Sequence, residues 1–321
     1  MLQYSLRRIL GMIPMLILIS FVVFSLAKMM PGDPFGGMID PSKTDPKYIE
    51  EMRDKLGYND PIYVQYWTWI KGVLQGDLGK STTHKLPTLE IIKERMPNTI
   101  FLALTSLFIT YVFAFILGMY AGKKPYTLGD NLIAGYNYFA LAVPSFIAGI
   151  VGIYFFSFQL DWFPFSGSVE VGLEKGTWAY IQSRIHHVIL PALILGLMST
   201  AQYTQFLRND IIENSRKDFV RTARAKGTKE SKIYNVHILR NSMIPLITFL
   251  GFDLVTVIGG AIITETIFTY PGIGMLFVES VSTRDYSVMM SLTMLFSVLT
   301  LLGNLLADVL YGVADPRIRL D

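Results

Sequence analysis

The chain has no cysteine, few charges and only 4 histidines. Without cysteine there are no disulfides and no thiolate metal sites, and the redox compartment is left unread. Charged residues make up only 17% against 51% hydrophobic, which is outside the usual balance of soluble proteins. His186-His187 lacks the carboxylate or further histidine that ligand spacing of the His-Glu-x-x-His kind requires, so both are read as interfacial polar residues. His84 and His237 stand alone, with no serine nucleophile at readable spacing, and a membrane hydrolase is unsupported. Gly76-Asp77-Leu78-Gly79-Lys80-Ser81-Thr82 ends like a phosphate loop. A phosphate cradle needs glycine five positions before Gly-Lys-Ser, and that position is Leu74, so nucleotide binding is not expected here. There is no internal repeat, no low-complexity tract and no nucleic-acid signature.

What is present is long apolar runs. A bilayer core needs roughly 20 apolar residues as a helix, and six stretches reach that length. They are Ile9 to Ala27, Thr99 to Ala121, Leu132 to Phe158, Val188 to Leu207, Met243 to Ile263 and Ser287 to Tyr311. The expected fold is therefore all-α and integral to the membrane, with six transmembrane helices, in three parts: a first helix at 1–28, an outer segment at 29–98, and a five-helix core at 99–321. Short cytoplasmic loops retain Lys and Arg. With the N-terminus inside, Arg7, Arg8, Lys123, Lys124, Arg317, Arg319 and the basic residues of 208–240 make fifteen of the 28 Lys+Arg internal. The short outer loops hold only Lys175, Arg184 and Arg284, so both termini are expected in the cytoplasm. A signal peptide is disfavoured because signal cores run roughly 7 to 15 residues, shorter than Ile9 to Ala27.

The outer segment opens on Met30-Pro31-Gly32-Asp33-Pro34, whose prolines and glycine enforce turns. Tyr48 to Leu56 reads as a short helix. Asp60 is expected to cap a second one, with Pro61 first and Ile62, Tyr66, Trp69, Ile70 and Val73 forming an apolar stripe. Together these predict a small extracytoplasmic helical cap between the first and second spans. Pro144 predicts a kink in the third span, and small residues at Gly118, Ala121, Gly122 and Gly259-Gly260-Ala261 predict close helix packing. Polar groups inside spans are costly and invite a role: Gln202, Thr204 and Gln205 in the fourth, Asp253 and Thr256 in the fifth. Gln202, Gln205, Asp253 and Thr256 are the candidates for a transport pathway. Asp253 is open to two readings, contact with a cationic substrate group or pairing inside an assembly. Asn304 and Asp308 read as packing or inner-surface residues.

Residues 208–240 carry nine of the 28 Lys+Arg between two apolar spans. As a helix, Lys217, Arg221 and Arg224 share one face, and Phe219, Val220, Ala223 and Gly227 the opposite one. Gly227 ends that helix in the left-handed conformation, and Thr228 is expected to cap a second through Lys229, Glu230, Ser231 and Lys232. A basic elbow results, suited to press against a cytoplasmic partner.

In order along the chain, Arg7-Arg8 with Met30-Pro31-Gly32-Asp33-Pro34, Gly76-Asp77-Leu78-Gly79-Lys80-Ser81, Arg221-Thr222-Ala223-Arg224-Ala225-Lys226-Gly227 with Arg240-Asn241 and Pro245, Glu265-Thr266-Ile267-Phe268 with Pro271-Gly272-Ile273-Gly274, and Asp315-Pro316-Arg317-Ile318-Arg319 form one pattern. The pattern resembles the membrane-spanning subunit of ABC importers of the peptide, opine and nickel uptake group, specifically the oligopeptide or dipeptide permease B type. The resemblance implies that the elbow, Phe219, Val220, Arg221, Thr222, Ala223, Arg224, Ala225, Lys226 and Gly227, is a coupling helix docking on an ATPase. Where the family-wide form has Glu-Ala-Ala, three residues, then Gly, this chain has Arg221 and Thr222 in place of the first two, with Ala223 and Gly227 retained. It further implies a non-catalytic subunit that binds no cofactor, with ATP and Mg used by partner chains. The implied partners are a second homologous permease, two ABC ATPase subunits, an extracytoplasmic solute-binding protein, a peptide substrate and the lipid bilayer, and no nucleic acid. The implied location is a prokaryotic cytoplasmic membrane. Nickel chelates, opines or glutathione stand as alternative substrates within the group, and an ion-coupled carrier or channel as the alternative from another class.

Overall fold

The computed structural model describes residues 2–29, 50–51, 54 and 59–314. The Met30 to Pro34 turn and the Asp315 to Arg319 tail lie outside the described residues, as does most of the expected helix Tyr48 to Leu56. In chain order the helices are α1 (Leu2–Met29), α2 (Ile62–Leu74), α3 (Thr88–Lys123), α4 (Leu128–Ala142), α5 (Ser145–Gly152, prolonged by a π-helical stretch Ile153–Gln159), α6 (Trp178–Asn214), α7 (Asp218–Ala225), α8 (Ile244–Gly260), α9 (Ile262–Ile267), α10 (Ile273–Ser282) and α11 (Tyr286–Ala314). Between α7 and α8 run the short helical pieces Glu230–Lys232, Ile233–Ile238 and Leu239–Ser242. Among the described residues the only extended pairing is a bridge between Lys80 and Pro87.

Four of these helices are long and apolar enough to cross a membrane: α1 over Leu10–Met29, α3, α6, and α11 over Tyr286–Leu310. A fifth crossing is available if α4 and α5 count as one broken span, bent by 99°. The break sits where proline predicts it. Pro144 cannot donate to the helix, and it holds Val143 in extended backbone at φ −84° and ψ 120°. The stretch Met243 to Ile263, read as one span, is interrupted: α8 ends at Gly260 and α9 starts at Ile262. Its 17 residues reach roughly 26 Å, a little under a core of about 30 Å.

The centre of the fold is the pairing of α3 with α6. A Cβ on Gly118 would lie 2.9 Å from Leu207, and one on Gly122 would lie 2.8 Å from Ile211. Two glycines one turn apart thus let the backbones meet, the small-residue contact expected for helices in lipid. Thr110 Oγ1 adds a hydrogen bond across the same seam to the Gly196 carbonyl at 3.0 Å.

The α2 stripe is observed at Tyr66, Trp69, Ile70 and Val73, which are half-buried, but Ile62 is exposed. Asp60 does not cap α2. Pro61 stands at the cap with an extended ψ of 145°, so the helix starts one residue later than expected. The segment after α2 returns to the bundle. Ser81 Oγ donates to Asp285 Oδ2 at 2.5 Å, and Thr83 N donates to the same oxygen at 3.2 Å. Asp285 Oδ1 in turn accepts from Val288 N at 3.4 Å, in the first turn of α11. The Gly76 to Ser81 motif is therefore a staple between the α2–α3 segment and the start of α11.

Candidate functional site

Helix α7 meets the bundle through Val220 and Ala223. Val220 is fully buried in a cluster with Leu207 and Ile211 of α6, Met119 of α3, and Ile233, Ile238 and Leu246. Ala223 is half-buried and packs against that cluster. Phe219, Arg221, Thr222, Arg224, Ala225, Lys226 and Gly227 are exposed. The apolar set expected on one face is thus divided, with Val220 and Ala223 inward and Phe219 outward, 37% exposed. Successive helix residues are turned by about 100°, so Phe219 and Val220 cannot both face the bundle.

The end of α7 has the Schellman arrangement. Thr228 N donates to the Ala223 carbonyl at 3.1 Å, Gly227 N to that of Arg224 at 2.9 Å, and Gly227 has φ +72°. Thr228 does not cap the next piece, whose N-cap is Lys229 without a side-chain bond. The turn is braced from outside instead. Arg224 Nε donates to Glu230 Oε1 at 2.6 Å and Nη2 to Oε2 at 3.2 Å, and this guanidinium holds the Glu230 carboxyl below its ordinary range. The three basic residues expected on one face are all laced to acids: Arg224 in this way, Lys217 to Glu213 at 3.3 Å and Arg221 to Asp218 at 3.6 Å. Asn214 Nδ2 donates to Ser242 Oγ at 3.0 Å in a buried bond, joining the end of α6 to the piece that leads into α8.

A second relationship was not singled out from the sequence. Arg208, the first cation of the basic insert, makes a two-pronged ion pair with the buried Asp130 of α4, whose Oδ2 also accepts from Tyr126 N at 2.7 Å. Its sequence signal is the spacing of Thr127 and Asp130: Thr127 is the N-cap of α4 and its Oγ1 accepts from Asp130 N, so the acid sits on the third residue of the helix.

Of the pathway candidates, Asp253 is buried in α8 and its Oδ2 accepts from Tyr111 of α3 at 2.7 Å and from Tyr203 of α6 at 2.6 Å. The two tyrosine rings lie 5.1 Å apart. Neither tyrosine was picked out beforehand, because a mid-span carboxylate announces itself while the hydroxyls that satisfy it come from distant parts of the chain. Gln202 is exposed and Gln205 half-buried on α6, and among the described residues neither bonds Asp253. Thr256 lies in α8, with its side chain outside what the structure describes.

The Glu265 to Gly274 loop is a clamp. Glu265 is fully buried and accepts from Thr99 Oγ1 at 2.5 Å, Gly274 N at 2.8 Å and Met275 N at 3.0 Å, the last two at the start of α10. A helix N-terminus with its free N–H groups suits a carboxylate. Gly272 is required by this seat, since a Cβ there would lie 2.2 Å from Glu265 Oε1.

The family described as "Binding-protein-dependent transport system inner membrane component" matches residues 114–320, and its N-terminal companion, a transport system membrane component, matches residues 1–103. The chain is 40% identical over 320 residues to the oligopeptide transport system permease protein AppB of Bacillus subtilis (strain 168), covering 99% of this chain and 100% of that protein. It is 36% identical over 319 residues to the glutathione transport system permease protein GsiC of Escherichia coli (strain K12), covering 99% of each. Among solved structures it is similar to an inward-facing MetNI methionine ABC transporter, with TM-score 0.54 and 15% identity over 71% of this chain and 97% of that one. At that identity the likeness is one of fold.

Proposed function

Because this chain belongs to the family of inner membrane components of binding-protein-dependent transport systems, we propose that it is the permease for short peptides in an ATP-driven importer, with glutathione-sized peptides as the nearest alternative. The names of the relatives support this reading. The chain crosses the cytoplasmic membrane of a prokaryote six times, the broken α4–α5 pair and α8 supplying the fifth and sixth crossings, with both termini inside. A second homologous permease completes the pathway, a solute-binding protein delivers the peptide outside, and two ATPase subunits using ATP and Mg drive the cycle.

The observation that carries the reading is the seat of α7. One fully buried valine seats the helix in the cluster it shares with Leu207 and Ile211 of α6 and with Ile233 and Ile238, while Phe219, Thr222, Ala225 and Lys226 are left outward for a partner. A displacement of the elbow then moves Leu207 and Ile211 with it, and those two residues lie on the glycine seam of α3. Alternating access needs such a rigid element, whose position ATP binding in the partner chains biases. Gln202, Gln205, Asp253 and Thr256 are proposed along the pathway.

Copurification from native membrane tests the reading. The expected result is an ABC ATPase and a second permease retained with this chain; recovery without any ATPase would overturn it.

A further inference from the structure

We infer that α2 is sunk beside α1 into one leaflet of the bilayer, with its outward aromatic face covered by lipid acyl chains. The inference goes beyond the transport role and does not depend on the substrate. It starts from one hydrogen bond. Ser20 Oγ lies 2.7 Å from the Tyr66 hydroxyl, and the serine already donates to the Ile17 carbonyl at 2.8 Å, so the tyrosine is the donor. The apolar part of α1 is Leu10–Met29, which puts Ser20 near the middle of the crossing. At about 1.5 Å per residue Ser20 is roughly 13 Å below Met29, close to half of a core about 30 Å thick.

A tyrosine on a membrane surface turns its hydroxyl toward water. This one turns toward the middle of a span and finds a serine there, as a hydroxyl within hydrocarbon must. The rings agree on the depth. Tyr66 meets Phe21 at 5.4 Å and Phe24 at 5.7 Å, and Trp69 meets Phe24 at 5.5 Å. Both phenylalanines lie below the Met29 end of α1.

The side of α2 about a quarter turn from that contact is left without protein among the described residues. Tyr63 is 68% exposed, Trp67 58% and Leu74 80%, and no residue of the helix is buried. In water, such a run of large apolar groups would be a liability. At the depth set by Ser20 it meets acyl chains. The single charge of α2 fits the same picture: Lys71 Nζ lies over the Trp67 ring at 5.1 Å, an ammonium held along an aromatic surface in the manner of a snorkelling side chain. With 13 residues, or roughly 20 Å, α2 is too short to cross and enters one leaflet only.

The absence of native cysteine makes the test direct. Full-length chains carrying Tyr63→Cys or Trp67→Cys are prepared in membrane vesicles of both orientations and treated with a membrane-impermeant maleimide. Both are expected to react roughly tenfold slower than Lys85→Cys does in whichever orientation exposes it, because an apolar setting suppresses the reactive thiolate. Spin labels at positions 63 and 67 are expected to be relaxed by dissolved oxygen more than by a water-soluble nickel chelate. Maleimide reaction as fast as at Lys85→Cys would overturn the inference and return α2 to the membrane surface. Slow reaction together with shielding from oxygen would also overturn it, because a protein partner would then cover the face. Two positions keep the test decisive if one variant fails to assemble.

Discussion

The Arg208 guanidinium grips the Asp130 carboxylate with two hydrogen bonds, Nε to Oδ1 at 2.6 Å and Nη2 to Oδ2 at 2.7 Å. The pair ties the first turn of α4 to α6, one residue beyond Leu207 in the seat of the elbow. The acid is the more deeply buried partner, at 1% against 22% for the arginine.

This asymmetry orders the effects of substitution. Arg208→Ala leaves a buried carboxylate without its cation and should destabilise the fold by about 3 kcal/mol. Asp130→Asn removes the charge that needed compensation and should destabilise less. Thermal unfolding in detergent gives the comparison; equal midpoints for the two variants would contradict the proposed order.

On α7 the two neighbours Phe219 and Val220 should separate stability from docking. Val220→Ala should lower stability by roughly 2 kcal/mol, through lost burial and the cavity left among Ile211, Ile233 and Leu246. Phe219→Asp should leave thermal stability unchanged and weaken retention of the ATPase roughly tenfold or more, as removal of an aromatic anchor does. If Phe219→Asp binds the ATPase normally, the outward face of α7 is not the contact.

At the clamp, Gly272→Ala would drive a Cβ to 2.2 Å from Glu265 Oε1 and should destabilise by roughly 1–3 kcal/mol as overpacking. The penalty should nearly vanish in a Glu265→Ala background, because the three nearest heavy atoms beyond the immediate chain neighbours all belong to that carboxylate. A double-mutant cycle on thermal midpoints measures this, and additive effects would refute the stated cause.

Much of the fold could be read from local pattern. The apolar runs marked α1, α3, α6 and α11, Pro144 marked the break before α5, and Gly118 with Gly122 marked the close seam between α3 and α6. Gly227 marked the end of the elbow because its φ of +72° is one that glycine adopts without strain. Other features were hidden by sequence distance. Ser81 and Asp285, Thr99 and Glu265, and Tyr111, Tyr203 and Asp253 are partners only after the helices pack, and nothing in the neighbourhood of either partner points to the other. The split between Phe219 and Val220 was missed for a different reason: a helix pattern shows which residues are apolar, but the neighbouring helix selects the side that is buried.

By itself, the order of residues determined that this protein is helical, membrane-embedded and equipped with a basic elbow, since hydropathy, prolines and glycines act over a turn or two of chain. Only the packed structure decided that one valine seats the elbow, that Asp130 holds Arg208, and that the Tyr66 hydroxyl meets Ser20 of α1. Those outcomes depend on which helices come to lie side by side, and the hydrogen-bonding and packing needs of buried groups are met across that space rather than along the chain.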